Sequence, residues 1–173
     1  MSDLSGKKAL VTGAGMGIGQ GIAVELARRG AEVAVHYAHT EPEETVSQIE
    51  KLGAKAATVQ GDLSKVADCE KTVDTAAEAL GGLDTLVNNA GVTKTLDFLD
   101  TDEETYDSVF DLNMKGYFFL ARRAVPYMMN LPRLRRCRLH YRTGPLRRRR
   151  YHGQDGPVVG PGRRSRVMPG GCS

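Results

Sequence analysis

Ala9-Leu10-Val11-Thr12-Gly13-Ala14-Gly15-Met16-Gly17-Ile18-Gly19 is the stretch that decides how this chain folds. Ala9 to Thr12 is a short apolar run of the kind that forms a buried strand. Glycines at 13, 15, 17 and 19 then break the pattern, and Ile18, Ile22 and Leu26 recur at i, i+4 and i+8 with the small Ala23 and Ala27 beside them. That is a helical period with its larger residues facing a core. A strand, a glycine turn and a helix in this order bring the unpaired N–H groups and positive end of the helix to the mouth of the turn. Bare backbone there can approach a pyrophosphate closely. Glycine also serves ordinary tight turns, and it is the strand before and the helix after that favour a dinucleotide.

Outward from this turn the same alternation continues, which predicts a parallel sheet covered by helices. Glu32 to Tyr37 reads as the second strand. The helix after it begins with Thr40-Glu41-Pro42-Glu43, turns Val46, Ile49 and Leu52 inward, and ends at Gly53. Lys55 to Gln60 is the third strand, followed after Ser64 by a helix that carries Val66, Cys69, Val73 and Leu80 inward and stops at Gly81-Gly82. Leu83 to Asn88 is the fourth strand. Thr101-Asp102-Glu103-Glu104 has capping-box spacing and opens a helix with Tyr106, Val109 and Phe110 on one face. A last helix runs from Asn113 to about Met129, with a kink expected at Pro126. The fold class is therefore α/β, a Rossmann-type doubly wound parallel sheet with strand order 3-2-1-4, incomplete because no fifth strand follows.

The net charge of +3 over 173 residues hides two different materials. Residues 1–130 carry 12 basic and 20 acidic side chains, whereas residues 131–173 carry 12 arginines, no lysine and one acid, Asp155. The second part also holds 5 of the 7 prolines and keeps no period of 2 or 3.6. The expected domains are thus a dinucleotide-binding domain over 1–130 and a basic, irregular Arg/Gly/Pro-rich tail over 131–173, disordered or not native to the fold. Three readings of the tail stay open: a basic arm for phosphates, a solvated segment without a partner, or an ordinary gene read in the wrong frame. The frame reading is favoured, since CGC arginine codons become GCC alanine codons when shifted by one base. The acidic balance of residues 1–130 argues against nucleic acid. Cys69, Cys137 and Cys172 have neither disulfide-framework nor zinc spacing, so no metal is expected and a reducing cytoplasm fits best. No apolar run approaches the roughly 20 residues that span a bilayer.

The spacing T-G-x-x-x-G-x-G resembles the short-chain dehydrogenase/reductase family, and three further matches follow in order. Gly61-Asp62-Leu63 looks like the family's aspartate that contacts adenine, Asn88-Asn89-Ala90-Gly91 like its N-N-A-G signature, and Asn113 in Leu112-Asn113-Met114-Lys115-Gly116 like the asparagine of its catalytic tetrad. Within the family the text is most similar to 3-oxoacyl-[acyl-carrier-protein] reductases and related sugar dehydrogenases, over residues 1 to about 130. The resemblance implies an NAD(P)-dependent oxidoreductase that interconverts a ketone and a secondary alcohol on a small-molecule substrate, commonly as a homo-oligomer. It places Thr12, Gly13, Gly15, Met16, Gly17, Ile18, Gly19, Tyr37, Asp62, Leu63, Asn89, Ala90 and Gly91 at the cofactor and Asn113 at the reaction. Read without it, Asp62 caps a helix, Asn88 and Asn89 are turn residues, and Asn113 is a kink or a cap.

Charge addresses the choice of cofactor. A carboxylate ending the second strand would accept ribose hydroxyls and repel a 2′-phosphate. His36-Tyr37-Ala38-His39 stands there instead, so NADP is favoured and NAD is possible. His36 and His39 read equally as surface loop histidines. The family's proton chemistry is missing from the sequence. A tyrosine acidified by a lysine four residues on is required, and the residues at that spacing after the six tyrosines are Glu41, Phe110, Ala121, Leu131, Pro145 and Asp155. A strand bearing the substrate-orienting serine is missing as well. The sequence therefore predicts a chain that binds dinucleotide without turnover, or alternatively a non-catalytic interaction module with a basic partner-binding tail.

Overall fold

The computed structural model describes residues 3–129, and the expectations for the tail lie outside those residues. Four strands, β1 (Lys8–Val11), β2 (Glu32–Tyr37), β3 (Ala56–Gln60) and β4 (Thr85–Val87), form one parallel sheet in the order β3-β2-β1-β4. The register runs from Lys8 opposite Glu32 to Val11 opposite Val35, and from Ala9 opposite Thr85 to Val11 opposite Val87. Strand order and the parallel sense are those the alternating pattern predicts. Asn88 and Thr12 sit just beyond their strands, and every residue of β4 is half-exposed.

Both faces of the sheet are covered, which is why its strands read as continuous apolar runs. On one face Val11, Val33 and Val35 pack with α1 (Gly17–Arg28) and α2 (Glu43–Lys51). On the other Leu10, Ala34 and Val59 pack with α3 (Val66–Leu80) and α5 (Tyr117–Met128). Leu10, Ile49 and Leu120 are fully buried, each worth roughly 1.5–3 kcal/mol of apolar transfer. Cys69 belongs to the second core, where burial pushes its thiol pKa up to about 11 and leaves it inert.

The helices differ from expectation in which stripe faces inward. In α1 the buried positions are Gly19, Ala23 and Ala27, while Ile18 is 78% exposed and Ile22 and Leu26 lie half-buried at the flank. The smallest residues win because this helix approaches the sheet too closely for larger ones. In α2 Thr45 and Ile49 are buried and Leu52, expected inside, is exposed, because the helix ends at Lys51.

Helix α4 (Glu103–Phe110) is capped by Asp102, whose carboxylate accepts the Thr105 N–H at 2.8 Å, one residue later than the Thr101 box predicts. Tyr106 and Phe110 stack on each other at 4.1 Å on its exposed side. No new helix begins at Asn113. A π-helical segment, Asp111–Gly116, joins α4 to α5 without a break, and Pro126 lies in the last turn of α5. Arg123 and Tyr127 of α5 bind the Asp74 carboxylate of α3 at 2.6–2.8 Å. Among the described residues no helix is long and apolar enough to cross a membrane.

Candidate functional site

Between Val11 and Gly17 the chain leaves β1 and enters α1 through a turn in which Gly13 and Gly17 have φ of +62° and +59°. L side chains rarely adopt that region. A Cβ on Gly13 would stand 2.8 Å from the Ala90 Cα, and one on Gly19 would run into the Gly13 carbonyl and the Asn89 amide. Gly17 differs, since nothing lies within 4 Å of its added Cβ. Gly13 and Gly19 thus serve close packing of backbone on backbone, while Gly17 faces open space. The first turn of α1 has no side-chain cap and no acidic residue. Its N–H groups are the usual landing place for an anion.

Polar side chains from several elements fix this turn. The Thr12 hydroxyl is buried, donates to the Val87 carbonyl (3.2 Å) and accepts the N–H groups of Asn89 (2.9 Å) and Ala90 (3.0 Å). Asn89 returns its side-chain amide to the carbonyls of Thr12 (2.9 Å) and Gly13 (3.1 Å). Thr45 of α2 donates to the Ala14 carbonyl at 3.0 Å. His36 is 2% exposed, which corrects its reading as a surface histidine, whereas His39 is exposed. Its Nδ1 accepts the Gly13 N–H at 3.1 Å, and its Nε2 lies 3.1 Å from the Gly61 carbonyl. Burial pushes its pKa below the ordinary histidine value, partly opposed by the Gly61 bond. Sequence reasoning missed the roles of Thr45 and His36. Both had a signal: Thr45 precedes Ile49 by one helical repeat, and His36 alternates with Ala34 on a strand buried on both faces.

The other expected residues gather around the same end of the sheet. Asp62 binds the Ser64 N–H (3.1 Å) and hydroxyl (2.7 Å) and pairs with Lys65 at 3.1 Å. The Ser64 bond chiefly holds its carboxyl below the usual range. It steadies the turn before α3, while about half its side-chain surface stays open. Leu63 points into the core, so only its backbone can line a site. Asn113 pairs with the backbone of Val92 in both directions, Nδ2 to the carbonyl at 2.8 Å and Oδ1 from the N–H at 2.9 Å. This ties the loop after β4 to the π-helical segment, a distortion common at functional sites. Gly91 lies against it: a Cβ there would be 3.2 Å from Asn113 Oδ1 and 3.8 Å from the Tyr117 hydroxyl, a group whose pKa burial raises. Tyr37, Thr40 and Pro42 border Gly15, and Met16 and Ile18 point away from the protein.

Gly13, His36, Gly61, Asp62, Ala90 and Gly91 bring these loops together around a crevice of about 310 Å³. It opens at the carboxyl ends of the strands, where doubly wound sheets place their ligands. A wider cleft of about 920 Å³ adjoins it, bordered by Asp62, Glu103, Glu104, Asp107 and Asp111. Lys94 and His39 border the same cleft, and Asp62 lines both spaces.

The family described as short chain dehydrogenase matches residues 7–134. The hydroxynaphthalene reductase-like protein Arp2 of Metarhizium majus is 43% identical over 129 residues, covering 73% of this chain and 48% of that protein. A short chain dehydrogenase from Burkholderia cenocepacia, solved in complex with NADP, superposes with a TM-score of 0.71 at 36% identity, covering 73% of this chain and 53% of that one. The NADH-dependent reductase A1-R′, solved with NAD, gives 0.67 at 34% identity over 72% and 52%. The chain spans about half the length of the curated relatives it matches. Since the family match takes in every element from β1 to α5, the chain belongs to the short-chain dehydrogenase family.

Proposed function

We propose that this chain is the dinucleotide-binding half of an NAD(P)-dependent oxidoreductase interconverting ketones and secondary alcohols, and that the 173-residue chain binds dinucleotide without turning over. The observation that carries the reading is the uncapped, acid-free N-terminus of α1, held by Thr12, Asn89 and His36 against the crevice. The N–H groups from Gly15 to Gly19 receive the pyrophosphate, Gly17 leaving room for it. Asp62, the Leu63 backbone and the Asn89-Ala90-Gly91 backbone enclose the adenine and ribose side. When bound, the nicotinamide ring supplies a hydride to the carbonyl carbon or accepts one from the alcohol carbon. Asn113 holds the floor of the reaction side through Val92.

The end of β2 reads His36-Tyr37-Ala38-His39-Thr40 with no carboxylate before Glu41, which supports NADP over NAD; relatives solved with each support a site of this shape for both. The chain's sequence contains no Tyr-x-x-x-Lys, so no phenolate can be poised to move the proton. A second copy of the chain is the partner favoured by three exposed apolar residues, Phe110, Met114 and Phe118, at four-residue spacing along the continuous run from α4 through the π-helical segment into α5. Calorimetry with NADP⁺ and NAD⁺ tests the binding, and the near-ultraviolet absorbance of NADPH with a panel of ketones tests turnover. Saturable binding, tighter for NADP⁺, with no loss of absorbance is expected. Absence of binding overturns the dinucleotide reading, and protein-dependent oxidation of NADPH overturns the inactivity.

A further inference from the structure

We propose that His36 is the positioning residue that sets the spacing between the two backbone turns of the dinucleotide crevice, and that it does so as a neutral imidazole protonated on Nε2. The proposal rests on the dinucleotide reading for what the crevice holds. The topology explains why a side chain is needed. Gly13 follows β1 and Gly61 follows β3, two strands that are not neighbours because β2 lies between them. The backbone ties each turn to β2, through Ala14 N–H to the His36 carbonyl (2.9 Å) and Gly61 N–H to the Tyr37 carbonyl (3.2 Å), and the first also to β4, through Thr12 N–H to the Val87 carbonyl (3.0 Å). Among the described residues it is the His36 ring that spans from one turn to the other, with Gly13 on Nδ1 and Gly61 on Nε2 at 3.1 Å each.

The partners dictate the tautomer. The Gly13 N–H is a donor, so Nδ1 must carry a bare lone pair; the Gly61 carbonyl is an acceptor, so Nε2 must carry the proton. A second proton would set Nδ1–H against the Gly13 N–H. One of the two would have to move, and movement of Gly13 opens the glycine turn. The titratable side chains on the surrounding elements are Asp62, Asp68 and Cys69 from the β3–α3 side and His39 from the loop after β2. The turn after β1 brings none, and α1 and α2 cover the opposite face of β2. Histidine is the side chain that changes charge between pH ~5 and ~8, which makes His39 the necessary control.

Two measurements test this on the full chain. Long-range nitrogen–proton correlation spectra without ligand report the His36 tautomer, and the Gly13 amide shift reports its titration. The Nε2-protonated form, with Gly13 following the His36 midpoint, is expected; the Nδ1-protonated form, or a Gly13 amide indifferent to pH, overturns the proposal. Calorimetry with NADP⁺ from pH ~8 to ~5 then compares the parent with His36→Asn and His39→Gln. The asparagine amide keeps an acceptor for Gly13 and does not titrate. Binding by the parent and by His39→Gln should weaken by up to ~10-fold per pH unit below the break, the limit for one coupled proton, relative to His36→Asn. The titration of the ligand's own 2′-phosphate is common to all three and cancels in the ratio. A ratio of parent to His36→Asn affinity that stays constant, or a parent that binds more tightly in acid, overturns the proposal. Failure of His36→Asn to fold leaves the spectra of the parent to decide. A chain that binds no dinucleotide at any pH overturns the functional reading, while the tautomer and the Gly13 amide still decide the role of His36.

Discussion

Thr12→Val removes one oxygen and keeps the shape of the side chain. The hydroxyl accepts from two backbone N–H groups, Asn89 at 2.9 Å and Ala90 at 3.0 Å, and donates to the Val87 carbonyl, which also keeps the Thr12 N–H at 3.0 Å. The carbonyl therefore remains satisfied and the loss falls on the two donors. Asn89 and Ala90 are half-buried, so water restores part of each bond, and roughly 1–2 kcal/mol per orphaned donor gives a destabilisation of about 2–4 kcal/mol. Urea unfolding followed by circular dichroism measures it. With a slope of ~2 kcal/mol per molar urea the midpoint should drop by about 1–2 M. Thr12→Ser keeps the oxygen and loses only a methyl group, so its cost should be about 1 kcal/mol. A Thr12→Val midpoint within about 0.2 M of the parent, or a serine variant as unstable as the valine one, would refute the view that this hydroxyl fastens the glycine turn to the loop after β4.

Gly13 and Gly17 share a left-handed backbone but differ in their surroundings, so alanine at each separates conformation from contact. Gly17→Ala should cost only about 1 kcal/mol in urea midpoint, while Gly13→Ala, whose Cβ meets Ala90 at 2.8 Å, should cost at least ~2 kcal/mol; equal losses would contradict the close packing. Phe118, one of the three exposed apolar residues along the run from α4 into α5, is 64% exposed, and Phe118→Glu should shift sedimentation velocity from dimer toward monomer at micromolar protein. A parent that sediments as a monomer would refute the paired state.

The strand order was legible because a sheet covered on both faces leaves a trace: Leu10 and Val11, Ala34 and Val35 alternate between two cores. The inward stripe of α1 was not legible in the same way. Ile18-Ile22-Leu26 and Gly19-Ala23-Ala27 are adjacent rows, about 100° apart on the helix, and both keep the period. Hydrophobicity selects the first row, but the approach of Gly19 to the Gly13 carbonyl selects the second, and that approach exists only once the turn is built. The π-helical segment was hidden for a similar reason. Gly116 passes so near the Leu63 carbonyl that a Cβ would stand 2.5 Å from it, a contact across 53 residues that no local window contains.

The site followed the same division. The glycines, Thr12 and the Asn89-Ala90-Gly91 run were proposed from order and spacing, and the fold brings them to one end of the sheet. His36 and Thr45 carried no such motif: each spends its polar atoms on a turn from another element, which no local window shows. Among the described residues, the side chains that fix the glycine turn come from positions 12–89. The proposed lack of turnover rests instead on the sequence, in which none of the six tyrosines is followed four residues on by a lysine.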